Sequence, residues 1–157
     1  MSPIPPRFGE LIGVVTAALA DRAVEPALGR FLNDSFPFDG ALVSELAELC
    51  LTGRQEGWLC AREQGGVRFG RPIKPGPASH GFSVDVVDMQ AVVGPHHRHP
   101  NGEIDLVMPQ DAGARFDGLR QGWLVYGPGS AHHPTVTGGR ALVLYLLPGG
   151  AIEFTGA

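Results

Sequence analysis

Three side chains between Gly94 and Pro109 stand at a spacing that suits a metal ion: His97, His99 and Glu103, in the pattern His-x-His-x3-Glu. Alternate side chains of an extended segment share a face, which sets His97 beside His99 and turns His96 and Arg98 away. Pro100-Asn101-Gly102 then supplies turn chemistry, with φ locked at proline and free at glycine. The chain reverses there, and Glu103 opens the next strand within reach of both imidazoles. A fourth donor is His132, which follows the turn Gly127-Pro128-Gly129-Ser130. Neutral imidazoles with one carboxylate suit a divalent transition metal, and Fe, Mn, Zn and Ni all accept such a donor set. A surface run of histidines, or core imidazoles paired with backbone groups, is the competing reading. Two separate His-bearing turns argue against it.

Other polar residues qualify as substrate or proton-transfer groups. A strand over Val67 to Lys74 places Arg68, Pro72 and Lys74 on one face and Arg71 and Ile73 on the other, so the three cations do not all converge. Arg71 suits a bidentate grip on a substrate carboxylate, and with the register reversed Lys74, the only lysine, supplies a point charge instead. Pro72 and Lys74 equally suit a protected sheet edge. His133, His80 and Asp105 are candidates for moving protons. Tyr126 is a candidate for substrate contact, although Tyr126 and Tyr145 also suit a core with satisfied hydroxyls.

The elements that must position these groups follow from pattern and composition. The chain has 157 residues, 43% hydrophobic and 18% charged, which predicts one globular domain over 1–157 with a real core. A net charge of -4 disfavours nucleic acid and anionic membranes as partners, and no run has the length of a membrane span. Residues 1–53 read as a helical segment packed on the rest. Phe8, Leu11, Ile12, Val15 and Leu19 recur at helical spacing, a better account of this run than a secretory signal with Glu10 in place of a basic start. A second helix runs from Pro26 through Leu32, and a third, capped by Asp39, buries Leu42, Val43, Leu46 and Leu49 and ends before Gly53. Residues 54–157 read as β structure, with strands at Gly57 to Arg62, Val67 to Ile73, Gly81 to Gln90, Glu103 to Met108, Gly122 to Tyr126, Thr135 to Thr137, Arg140 to Leu147 and Ile152 to Thr155. Their alternation predicts two sheets or a barrel. On Glu103 to Met108, Glu103, Asp105 and Val107 share the metal's face. Ile104, Leu106 and Met108 form an opposite face too apolar to stay wet, which packs under the helices or against a second copy, so a homodimer is expected. Cys50 and Cys60 form no metal-binding pair, and two buried thiols fit a reducing cytoplasm.

The two His-bearing stretches resemble the paired motifs of the cupin superfamily. The first fits the His-x-His-x3-Glu core, with Gly94 closer to the histidines than in the family pattern. The second resembles G-x5-P-x-G-x2-H through Gly122, Gly129 and His132, with Gly127 in place of the first proline. The resemblance implies a mainly β, cupin-type double-stranded β-barrel (jelly roll) with an N-terminal helical segment, and one metal held by three His and one Glu. A fuller resemblance, through Gly57-Trp58-Leu59-Cys60, Arg68 to Lys74, Phe82 to Val87, Gly122 to Ser130 and Leu144 to Gly150, is to the small bacterial 4-hydroxylaminobenzoate lyases. That family implies a small aromatic carboxylate substrate converted to protocatechuate with loss of ammonia. Two other classes use the same cage: an O2-dependent dioxygenase on an aromatic or thiol substrate, and a non-catalytic small-molecule binder.

Overall fold

The computed structural model describes residues 3–157. Three helices lead: α1 (Pro6–Leu19), α2 (Leu28–Ser35) and α3 (Ala41–Glu56). Eleven strands follow: β1 (Arg62–Gln64), β2 (Val67–Ile73), β3 (Phe82–Gln90), β4 (His97–His99), β5 (Glu103–Pro109), β6 (Arg115–Phe116), β7 (Gly122–Tyr126), β8 (Ser130–His132), β9 (Val136–Thr137), β10 (Arg140–Pro148) and β11 (Glu153–Phe154).

Helix α1 buries the stripe its spacing predicts, Phe8, Leu11, Ile12, Val15 and Leu19, with Thr16 added. The other helices depart from expectation at their ends. Pro26 belongs to the preceding turn, accepting the Gly29 amide, so α2 starts at Leu28 and runs on through Asn33. There the Asn33 amide both donates to the Trp123 carbonyl (3.2 Å) and accepts from the Trp123 amide (3.0 Å), tying α2 to β7. Helix α3 takes Gly40, not Asp39, as its N-cap and makes no side-chain cap. It does not stop before Gly53. Its last turn passes through that glycine because a Cβ would meet Leu59 at 2.7 Å and Trp58 at 2.9 Å, and it ends at Gly57, whose φ of 87° suits the left-handed cap. Trp58 to Cys60 therefore fold back over the helix instead of forming the expected strand, and β1 begins at Arg62.

One six-stranded antiparallel sheet, in the order β1-β2-β3-β10-β5-β7, divides the molecule. Strand parity decides what each side does. Ile104, Leu106 and Met108 of β5, with Val84, Val86, Leu142, Leu144 and Leu146, pack beneath the three helices in one hydrophobic cluster. The apolar face of β5 is thus covered by this chain's own helices. The opposite parity, Val87, Val107, Val143 and Tyr145, forms a second cluster with Phe116 and Val136. Two smaller sheets lie on that side, β11-β4-β8 and β6-β9. The architecture is mainly β with an N-terminal helical segment, and among the described residues its sheets are laid against one another without a continuous hydrogen-bonded closure into a barrel.

Candidate metal centre

Strands β4 and β8 pair antiparallel with His97 opposite His132 and His99 opposite Ser130. That register converts two distant turns into one site. Gly102 closes the first turn at a φ of 89°, where a Cβ would meet Val24 at 2.6 Å, and delivers Glu103 to the start of β5. The ligand atoms of His97, His99, Glu103 and His132 all lie within 4.8 Å of one another. Glu103 is the hub, with its carboxylate 3.4 Å from His97 Nε2, 3.2 Å from His99 Nε2 and 3.7 Å from His132 Nε2.

The outward nitrogens of His99 and His132 are held. His99 Nδ1 lies 2.9 Å from Ser130 Oγ, which itself donates to the Gly127 carbonyl at 2.6 Å. Ser130 therefore accepts from His99 Nδ1–H, and the Nε2 of that ring carries a bare lone pair. His132 Nδ1 donates to Asp117 Oδ2 at 2.6 Å. Fixing a ligand's far nitrogen sets its tautomer and its aim. A lone pair and a carboxylate buried together repel each other unless a positive charge joins them. His99 Nε2 and both Glu103 oxygens have no hydrogen-bond partner, and both residues are fully buried. The donor set and its orphaned atoms fit a divalent transition metal.

Without a cation, protons do this work. Burial pushes His132 down, but the hydrogen bond to Asp117 and the nearby Glu103 carboxylate outweigh it and lift the ring to about 9. Burial would likewise raise Glu103, and the closeness of the His132, His97 and His99 rings holds it well below the usual carboxylate range. Asp105, two residues on and on the same face, is raised well above that range by burial and by the Glu103 charge.

Beside the centre opens a cavity of about 1310 Å³ that includes His97 in its wall, together with Phe69, Arg71, Lys74, Asp85, His133 and Tyr145. Arg71 and Lys74 share this cavity because β2 carries a bulge: Gly70 pairs with Val86 while Ile73 pairs with Val84, one residue more on β2 than on β3. The strict alternation expected for β2 fails there, and two of its three cations converge. Arg71 is already engaged, donating to both Asp85 oxygens (2.8 and 3.1 Å) and to the Gly150 carbonyl. Lys74 makes no ion pair among the described residues. His133 lies beyond the end of β8 and reaches the cavity wall, its ring 4.8 Å from that of His96.

Three expected site residues are not brought to the cavity, one of them Asp105, which is fully buried beside Glu103. His80 sits at the end of a 3-10 turn at φ 53°, bonded through Nδ1 to Thr16 of α1 (2.9 Å), on the helix side of the sheet. Proton transfer at the centre is out of its reach. Tyr126 packs on His99 and His132, but its hydroxyl is committed to Asp117 and does not line the cavity. Asp117 itself was not foreseen from sequence. Its carboxylate accepts from His132, Tyr126 and the Thr135 amide, from a loop position at φ 48°. The Asp117-Gly118 pair signals a turn, but nothing local signals a partner so far along the chain.

The chain is similar to several known proteins. The family model described as PnbB, 4-hydroxylaminobenzoate lyase, matches residues 10–154. A 4-hydroxylaminobenzoate lyase of Nocardioides sp. (strain LMS-CY) is 32% identical over 145 residues, covering 87% of this chain and 86% of that protein. One of Pseudomonas putida is 30% identical over 165 residues, covering 92% and 94%. Among solved structures, an RmlC-like cupin protein of Ralstonia eutropha JMP134 matches at TM-score 0.42 and 15% identity, over 60% of this chain and 70% of that one. A salicylate 1,2-dioxygenase of Pseudoaminobacter salicylatoxidans in complex with gentisate matches at 0.46 and 13%, over 73% and 36%.

Proposed function

The chain belongs to the 4-hydroxylaminobenzoate lyase family, and from that premise we propose that it converts 4-hydroxylaminobenzoate to protocatechuate with release of ammonia, using the centre of His97, His99, Glu103 and His132. The observation that supports this most directly is the pair of buried groups, His99 Nε2 and the Glu103 carboxylate, that lack a partner while the far nitrogens of two ligands are fixed. A bound divalent ion, whether Fe, Mn, Zn or Ni, supplies Lewis acidity to ease departure of the hydroxylamine oxygen.

The chain's own residues do the rest. Lys74 attracts the ring carboxylate as a point charge, with Arg71 beside it held in place by Asp85. Fixing the acid at that end fixes the distance to the nitrogen at the other. Phe69 and its apolar neighbours in the wall keep bulk water from the ring. His133 on the wall and Asp105 beside Glu103 are the groups placed to carry protons as the ring takes up water and releases ammonia. One water enters for each ammonia lost, so the conversion balances without an oxidant.

Anaerobic incubation of metal-analysed protein with 4-hydroxylaminobenzoate tests the proposal. Ammonia and protocatechuate are expected in equal amounts, with no oxygen uptake in an electrode cell when air is admitted. Turnover that requires oxygen would establish the dioxygenase class instead, and ligand binding without turnover would establish a binding protein. We also infer a reducing, cytoplasmic setting from the free, buried Cys50 and Cys60. The homodimer loses its original motive, since the helices cover the apolar face of β5. What supports it is the exposure of Val93 and Phe154 at the cavity, and sedimentation analysis decides it.

A further inference from the structure

Tyr145 sits where none of the preceding roles uses it. In the sheet register it stands between two carboxyls, opposite Asp85 of β3 on one side and Asp105 of β5 on the other. Arg71 grips Asp85, so one row across four strands reads Arg71, Asp85, Tyr145, Asp105. The row runs from the cationic end of the cavity toward the metal centre, and Tyr145 is its third member, roughly 5 Å from each neighbouring strand. Its ring is 6.3 Å from that of His97, the ligand that shares the cavity wall with it. Tyr145 is only 5% exposed, yet its hydroxyl has no hydrogen-bond partner among the described residues, and what exposure it has is to the cavity. Tyr126, the other tyrosine, has spent its hydroxyl on Asp117. A phenol hydroxyl that no side chain or backbone group engages and that meets the cavity is free to bond what the cavity holds.

We propose that the Tyr145 hydroxyl touches substrate, hydrogen-bonding the nitrogen-bearing substituent of the aromatic acid at the His97 end of the cavity. This rests on the lyase reading for the orientation of the acid, carboxylate toward Lys74 and substituent toward the centre. Tyr145 is then a specificity residue as well as a catalytic one, since it distinguishes acids with a polar para group from those without.

Calorimetric binding of benzoate and 4-hydroxybenzoate to protein of measured metal content tests the assignment, because the second ligand carries a polar group where the substrate carries its hydroxylamine. In Tyr145→Phe the ratio of the two Kd values should shrink about 3- to 10-fold, the worth of one hydrogen bond. Benzoate affinity, metal content and melting temperature should stay as in wild type. A variant that keeps the wild-type ratio, or loses affinity for both acids alike, would overturn the assignment and leave the lyase reading standing. Wild-type protein that binds neither acid would overturn that reading and this inference with it. Should the variant not fold, wild-type binding of 4-methylbenzoate against 4-hydroxybenzoate takes its place: the hydroxy acid should bind tighter, and equal or tighter binding of the methyl acid would overturn the contact.

Discussion

Two buried acidic sites lie on opposite faces of the same sheet and are treated in opposite ways. Asp88, on the helix side of β3, receives Arg54 Nε at 2.6 Å and Arg140 through Nε at 2.8 Å and a second nitrogen at 3.0 Å, so both its oxygens meet cations of the chain itself. Glu103 and Asp105, on the far side of β5, have four carboxyl oxygens and not one hydrogen-bond partner among the described residues. The first site is complete as folded and joins α3, β3 and β10. The second leaves its oxygens unmatched by any group of the chain among the described residues. A satisfied buried acid is what stability requires, and an orphaned one persists where it serves a ligand.

Substitutions at the two sites should therefore fail differently. Glu103→Gln should abolish retained metal and turnover together, while the metal-free variant unfolds in urea no more easily than metal-free wild type, because it buries one charge fewer. A fall in its stability would mean that Glu103 is structural. Asp88→Asn should do the reverse, keeping metal and turnover while losing about 1–3 kcal/mol of unfolding free energy by strand-to-helix uncoupling. The pH dependence has a definite sign. Burial alone would raise Asp88, and hydrogen bonds from Arg140 and Arg54 outweigh it and hold it below its ordinary value. Its contribution is thus present above about pH 4 and lost as pH falls through the depressed value. Wild type and Asp88→Asn should converge in stability in acid, and a constant gap would assign the loss to packing. Asp117→Asn should weaken metal binding roughly 10- to 100-fold by freeing His132, read in a competitive chelator titration. The smallest effect is expected at His80→Gln, where kcat/KM should not change. A clear loss there would return His80 to the reaction.

Much of this contrast was legible in the sequence where a short period carries the signal. The stripe of α1, the two faces of β5 and the pairing of His97 with His99 all follow from spacings of two to four residues. Glu103 and His132 followed from turn chemistry at Gly102 and Gly129. What escaped depends on partners far apart in the chain. Asp117 reaches His132 only through the packing of a loop against β8, and Arg54 meets Asp88 only once α3 lies on the sheet. Gly53 misled for a different reason: a glycine inside a helix looks like a stop, and only the return of Trp58 and Leu59 over it shows that it is there for lack of a side chain. The hydroxyls of Tyr126 and Tyr145 were indistinguishable until the register placed one against Asp117 and the other against the cavity.

The extra residue between Gly70 and Ile73 has a consequence for how β2 tolerates change. A scan of the strand should show sensitivity recurring at every second position as far as Gly70, then slip by one step, so that Arg71 and Lys74 respond in concert although an unbroken pleat would set them on opposite sides. Removing Pro72 would leave β2 its full composition of charges and bring Arg71 and Lys74 to a spacing of two, at which a regular pleat also sets both on the cavity side, so the bulge can be erased without separating the two cations.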